Sequence, residues 1–424
     1  MMCFSLALLL VVQTAAPDTL TLSYDVEGLH VIQRVNRSTD IVAARLYFLG
    51  GTRQITDATA GIEALWLDAT GYGTERYPGE QVLRAMGRTG SAVQIETDAD
   101  WSVLGFTGLA QDFDAAWDVL AQRVTKPALV DQAIGQARNR LITQAHARYT
   151  DPDERIHVIA NQSMFPGHPY SLDPAGTEAS LRGITAEQVR AYGREQIVTS
   201  RLLLVIVGNV ERAHAESLVA ATLVKLPRGN YRWTQPPPAP KIPARWLVEH
   251  RQIPTNYILC FFTGPAPTER TYWSFRVATA LLSSQLNYSI RVQHSLSYAA
   301  YAQFIDGAVP IGGAYASTSK PDQVLPLMRD AVRVLQAYPM DNFTLNRFLN
   351  SYTFEYLVAN ATAADQAESL ARAELYLGSY QRGGEFMKRL RWVTPRDLMD
   401  AANLYMSKLQ YAYLGDTTKM RGHW

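Results

Sequence analysis

The hydrophobic positions of this chain fall into two stretches with the same order of patterns, separated by a proline-rich break. Ile41–Gly51 (IVAARLYFLGG) is an apolar run closed by two glycines, and Thr255–Pro265 (TNYILCFFTGP) ends in the same way. Short apolar runs bounded by Gly and Pro predict strands. Each run is followed by a helical pattern, a turn containing Gly or Ser, and two further strand-like runs. Downstream, Asp112–Val124 and Asp322–Leu335 both carry amphipathic helical spacing. Gly183–Val210 and Trp392–Thr417 each predict a helix and then a strand, with Thr185 and Thr394 at N-cap positions and Pro395 at N1. Corresponding features lie roughly 200 residues apart and keep their order. One unit is therefore written twice. Between the copies, Gln235–Pro243 (QPPPAPKIP) predicts a stiff, extended linker.

A length of 424 residues is too great for one ordinary core and agrees with two domains. Strands and helices are mixed, with several hairpin-like strand pairs. That points to helices layered on a mostly antiparallel sheet. The expected fold class is α+β: two duplicated two-layer α/β domains, residues 17–234 and 244–424, joined by the 235–243 linker into a clamshell with a cleft. The composition is that of an ordinary globular protein, 47% hydrophobic and 19% charged. With 40 basic and 39 acidic residues, it gives no electrostatic case for nucleic acid or an anionic membrane. Met1–Ala16 has an apolar run followed by small residues, the pattern of a secretory signal, so export to a bacterial periplasm is expected. The run is too short to span a bilayer. Cys3 precedes it, leaving Cys260 as the one mature cysteine, which excludes a disulfide framework and a cysteine metal site.

The chemistry should lie in Gly50–Thr74, GGTRQITDATAGIEALWLDATGYGT. This segment resembles the first strand, turn and catalytic helix of the pitrilysin/insulinase-type zinc metallopeptidases, which include the mitochondrial processing peptidases. In that family the helix carries H-x-x-E-H, two histidines on one helix face holding zinc and a glutamate acting as base. Ile62, Leu65, Trp66 and Ala69 take core spacing here, which leaves 64, 67 and 68 on the neighbouring face. Gly61, Gly73 and Thr74 frame the motif and place the family's histidines at Ala64 and Asp68 and its glutamate at Leu67. A methyl group binds no zinc, and a leucine takes no proton from water. The resemblance puts a third ligand, a glutamate, in the long helix around Arg138–Tyr149, and that stretch holds no acidic residue. His146 lies near the place and is expected to be a surface residue. No metal ligand set is therefore expected. Phe165–Ser171 resembles a family loop whose histidine and tyrosine are expected to fix a turn. The glycine pairs at 312–313 and 383–384 are expected at a strand edge and a helix end.

A second resemblance lies in Ser289–Phe304, SIRVQHSLSYAAYAQF, which is similar to the family segment R-x-x-x-G-L-x-Y. Arg291, Leu296 and Tyr298 match it, and Ser295 stands where the glycine is usual. The resemblance implies that Arg291 and Tyr298 bind substrate backbone and steady an oxyanion across a cleft, as two fixed donors aimed at developing negative charge. Some family members divide the work between two chains. The expectation is an inactive member that binds peptide or unfolded protein and serves a zinc-bearing homologous subunit, with no cofactor of its own. The alternatives are a structural scaffold derived from the peptidase fold and a residual metallopeptidase with unrecognised ligands.

Overall fold

The computed structural model describes residues 19–420 and Gly422. The Met1–Ala16 signal pattern lies outside the described residues. Six strands build the first sheet: β1 (Thr19–Val26), β2 (Leu29–Asn36), β3 (Ile41–Leu49), β4 (Ala92–Thr97), β5 (Trp101–Leu109) and β6 (Leu202–Gly208), in spatial order β1-β2-β6-β3-β5-β4. Five build the second: β7 (Trp246–His250), β8 (Asn256–Thr263), β9 (Ala299–Ile305), β10 (Ile311–Thr318) and β11 (Gln410–Gly415), in order β7-β11-β8-β10-β9. Without β1 the two orders are the same. The single parallel pairing of each sheet also falls in the same place, β2 with β6 and β7 with β11. The duplication legible in the sequence thus extends to strand order and direction.

Three helices of each half build the surroundings of the candidate site. In the first they are α1 (Ile62–Ala69), α2 (Asp131–Thr150) and α3 (Pro152–Met164); in the second, α4 (Tyr272–Leu286), α5 (Asn342–Ala359) and α6 (Ala363–Leu377). Along β3, Val42, Ala44, Leu46 and Phe48 face one core, which includes Leu65 and Trp66 of α1. Tyr47 and Leu49 face another, because strand side chains alternate between faces. Helices of the same half cover the first face. The second face, with Trp101, Val103, Leu203 and Val205, is covered by Leu370, Ala371, Leu375 and Tyr376 of α6, a helix of the other half.

The arrangement is reciprocal. Ile156, Ile159 and Ala160 of α3, from the first half, pack with Leu259, Phe261, Ala412 and Leu414 of the second sheet. The two halves therefore exchange equivalent helices. Each half contributes two layers, as expected, and borrows its third from the other. Burying a Leu or Phe side chain contributes about 1.5–3 kcal/mol, so each exchanged helix holds the halves together with far more than a linker could.

Local signals behave as their chemistry requires. Thr185 and Thr394 cap their helices, each in a reciprocal capping box, and Pro395 occupies the first turn. Gly312 and Gly313 depart from expectation: β10 is an internal strand between β8 and β9, not an edge. A Cβ at Gly312 would lie 2.1 Å from the Phe262 ring, so close packing across the sheet demands glycine there. Among the described residues no helix is long and apolar enough to cross a membrane.

Candidate functional site

Gly61, in the left-handed region at φ 87°, turns the chain into α1, and a Cβ there would lie 2.7 Å from the Gly176 Cα. All eight residues of α1 are buried. Ala64 and Leu67 therefore sit in the core of the first sheet's helical layer rather than facing a cleft. Asp68 has a defined partner. Arg140 of α2 donates from Nε to Asp68 Oδ2 at 2.8 Å, and from Nη2 to Oδ1, a bidentate pair. The hydrogen bond to Asp68 is the main cause that holds the Arg140 guanidinium above its ordinary pKa.

A second cation closes the same corner. Arg123 donates from Nη2 to the Leu67 carbonyl at 3.0 Å and from Nε to Thr70 Oγ1 at 3.2 Å. Burial lowers its pKa to about 10, and the charge of Asp68 opposes that shift. Where the family binds a cation between two helices, this chain has a guanidinium supplied by one of them. The residues present do not fit zinc: a methyl group, an isobutyl group and a carboxylate already committed to arginine. Among the described residues no group of three His, Cys, Asp or Glu could hold a metal. His146 is an exposed residue of α2, with its Nδ1 4.0 Å from Glu178.

Sequence reasoning missed a further network on α1. Glu63 is buried, accepting from Arg201 Nη2 at 2.5 Å and from the Tyr192 hydroxyl. Arg201 also donates to the Leu49 carbonyl at 2.6 Å and to Tyr192 Oη at 2.9 Å. Desolvation, with the Glu63 charge next, raises the Tyr192 pKa well above its usual value. The network ties α1 to the end of β3. It is fully partnered, and its role is positional. The Phe165–Ser171 loop is fixed as expected. His168 accepts from the Tyr170 amide at 3.1 Å, and its Nε2 lies 2.8 Å from the Pro237 carbonyl of the linker.

The structure brings Arg291 and Tyr298 together. Beyond α4 the helix widens into a π-helical stretch, Asn287–Gln293, that carries Arg291. Ser295 takes the left-handed conformation at φ 53°, the geometry that makes glycine usual at this position. The amides of Ser295 and Leu296 close the turn on the carbonyls of Arg291 and Ile290, at 3.2 and 3.0 Å. The Arg291 guanidinium stacks over the Tyr298 ring, 4.7 Å from its centroid. Tyr298 is 85% exposed, and Arg291 is exposed as well. The pair sits on the helical layer of the second sheet, with Ile290 anchored in that core, whereas α1 belongs to the core of the first.

This fold and this site define a doubled α+β chain of the metallopeptidase type whose metal position is held by an ion pair. The family models agree: the one described as "Insulinase (Peptidase family M16)" matches residues 30–175, and "Peptidase M16 inactive domain" matches 183–352. The chain belongs to the M16 peptidase family, as a member without the zinc motif.

It is 21% identical over 390 residues to an uncharacterized zinc protease of Streptomyces coelicolor, covering 88% of this chain and 84% of that one. It is 20% identical over 258 residues to the mitochondrial-processing peptidase subunit beta of Blastocladiella emersonii, covering 61% and 55%. Among solved structures, a protease from Helicobacter pylori aligns with a TM-score of 0.86 at 14% identity, over 94% of this chain and 99% of that one. A peptidase M16 inactive domain from Pseudomonas fluorescens aligns with a TM-score of 0.85 at 17% identity, over 94% and 98%. A chain of Complex III2 from Candida albicans aligns with a TM-score of 0.79 at 16% identity, over 94% and 97%.

Proposed function

We propose that this chain is the non-catalytic, substrate-binding subunit of a two-chain zinc metallopeptidase, paired with a homologue that carries H-x-x-E-H. The observation that carries this reading is the Asp68–Arg140 pair, which occupies the metal position while Arg291 and Tyr298 remain exposed. In this reading the zinc belongs to the partner alone, and this chain holds no cofactor. The substrate is a peptide or an unfolded protein closed between the subunits. Arg291 and Tyr298 meet it in trans, donating to its backbone and to the oxyanion formed at the scissile carbonyl. The Met1–Ala16 segment sends the chain across the membrane, and the complex works in a bacterial periplasm.

The test is reconstitution with the zinc-bearing homologue at saturating subunit. Arg291→Ala and Tyr298→Phe leave folding and pairing intact and lower turnover about ten- to a thousandfold, the usual cost of one oxyanion donor. The loss falls on kcat, because such donors act on charge that develops in the transition state. The pure chain contains no stoichiometric zinc and hydrolyses no peptide; one zinc per chain by elemental analysis overturns the reading. Unchanged turnover in both variants favours a second reading, a structural scaffold, which the likeness to a chain of Complex III2 supports at the level of fold.

A further inference from the structure

The groove that α1 and α2 would form in the first half has a counterpart in the second, between α4, its π-helical extension, the edge strand β9 and α5. In the first half the groove is closed by the chain's own ion pair, Asp68 with Arg140. In the second it stays open, at about 610 Å³. Arg276 of α4 forms part of its wall. This guanidinium is held by rings on several sides: its carbon lies 4.8 Å from the Phe386 centroid, 5.1 Å from Phe304 and 5.9 Å from Tyr356. Its Nε donates to the Tyr352 hydroxyl at 3.0 Å.

What Arg276 lacks is a carboxylate in direct contact; Asp306 acts on it only through its charge. The buried Arg201 has Glu63 at 2.5 Å, and Arg372 has Glu368 at 2.8 Å. Among the described residues no carboxylate lies within ion-pair distance of Arg276. On the far side of Arg276 a second cavity contains acids, but each is already engaged. Asp98 accepts from the Ala99 amide and lies 3.9 Å from Arg372, Asp306 accepts from the Tyr272 hydroxyl at 2.8 Å, Asp365 completes the capping box of α6 with Thr362, and Glu368 holds Arg372. A half-buried guanidinium among aromatic rings has shed part of its water, which an anion can replace. A planar fork held in this way suits one anion shape above others, the bidentate carboxylate.

We propose that the α4–β9–α5 groove is a carboxylate-binding site on Arg276, receiving either the C-terminal carboxylate of a peptide or an Asp or Glu side chain. The inference rests on the reading that this chain binds peptides, and it names a class of peptide that the groove prefers. Hydroxyl and amide groups of Ser283, Asn287 and Ser351 line the groove as further donors. Glu355, one turn of α5 beyond Tyr352, also lines it and sets a limit on charge. A singly charged carboxylate is tolerated beside it, whereas a dianionic phosphoryl group is repelled.

The test uses the full chain, without any partner, and four probes followed by calorimetry. These are N-acetyl-Ala-Ala-Phe-Ala-Ala with a free C-terminus, its C-terminal amide, and two amides carrying one internal Glu or one internal Gln. At least one carboxylate-bearing peptide binds tenfold or more tighter than its neutral counterpart. The free acid leading assigns the C-terminus as the natural source, and the Glu peptide leading assigns a side chain. Arg276→Gln and Arg276→Lys abolish the difference, while Arg333→Gln, at an exposed arginine outside the groove, keeps it. Equal affinity for all four peptides, or binding of none, overturns the proposal, as does a preference that survives Arg276→Gln. If the Arg276 variants fail to fold, Glu355→Gln decides: it tightens carboxylate binding several-fold, and no change refutes the site. Because no zinc-bearing partner is present, this outcome is independent of the reconstituted activity.

Discussion

At the scale of single residues, Asp68 and Arg140 decide what this chain is. Arg140→Met leaves the buried Asp68 carboxylate without its bidentate partner. Breaking a fully buried pair costs 3–5 kcal/mol, but the Arg140 side chain is 47% exposed, so about 1–2 kcal/mol is expected. Thermal denaturation would show it as a lower Tm. Asp68→Leu combined with Arg140→Met should recover most of the loss, since the charge is then removed with its partner; a double variant no better than the single would refute the pairing. Ser295→Gly tests the other half. It relieves a left-handed serine and should stabilise by up to about 1 kcal/mol without changing the Arg291–Tyr298 stack. The replacement of the family's zinc-site residues was legible in Ala64 and Leu67 themselves. That Asp68 would be met by Arg140 was not, because the partners lie 72 residues apart and only the packing of α2 on α1 sets their register.

Among the elements, the exchanged helices carry the most information. The sequence marked where the strands are but read each sheet as half-covered. LLLVIVG in β6 has no polar alternation, and all seven of its residues are buried, the pattern of a strand covered on both faces. Such a run tells that a second cover exists, not which helix provides it. One contact of that cover should respond to pH. His30 of β2 lies 3.3 Å from Glu374 of α6, and this contact is the largest cause lowering the Glu374 pKa from its ordinary value. A carboxyl whose folded pKa is depressed adds stability above its unfolded value and loses it as pH falls through the folded one. The stability gap between the native chain and Glu374→Gln should therefore be present at neutral pH and vanish in the acid range below the ordinary carboxyl pKa. Melting curves across that range check it; a gap that persists at the acid end would show that Glu374 acts through packing and not through its charge.

For the molecule as a whole, the exchange means that neither half is complete. Residues 19–234 expressed alone would carry a sheet whose second face, with Ile32, Tyr47, Trp101, Leu203, Val205 and Val207, has lost α6. Exposing even four such side chains costs about 6–12 kcal/mol, at 1.5–3 kcal/mol each. That is the whole stability of an ordinary domain, about 5–15 kcal/mol. The lone half should aggregate or remain loosely packed, and the lone second half, without α3 over Phe261 and Leu414, should do the same. Co-expressed as two separate chains, they should recover each other, because the exchanged helices rather than the linker hold the molecule together. Size-exclusion chromatography and limited proteolysis distinguish these states. A monomeric, protease-resistant first half with a cooperative melt near that of the intact chain would show that the second face tolerates water, and that the two units are independent domains sharing a tether.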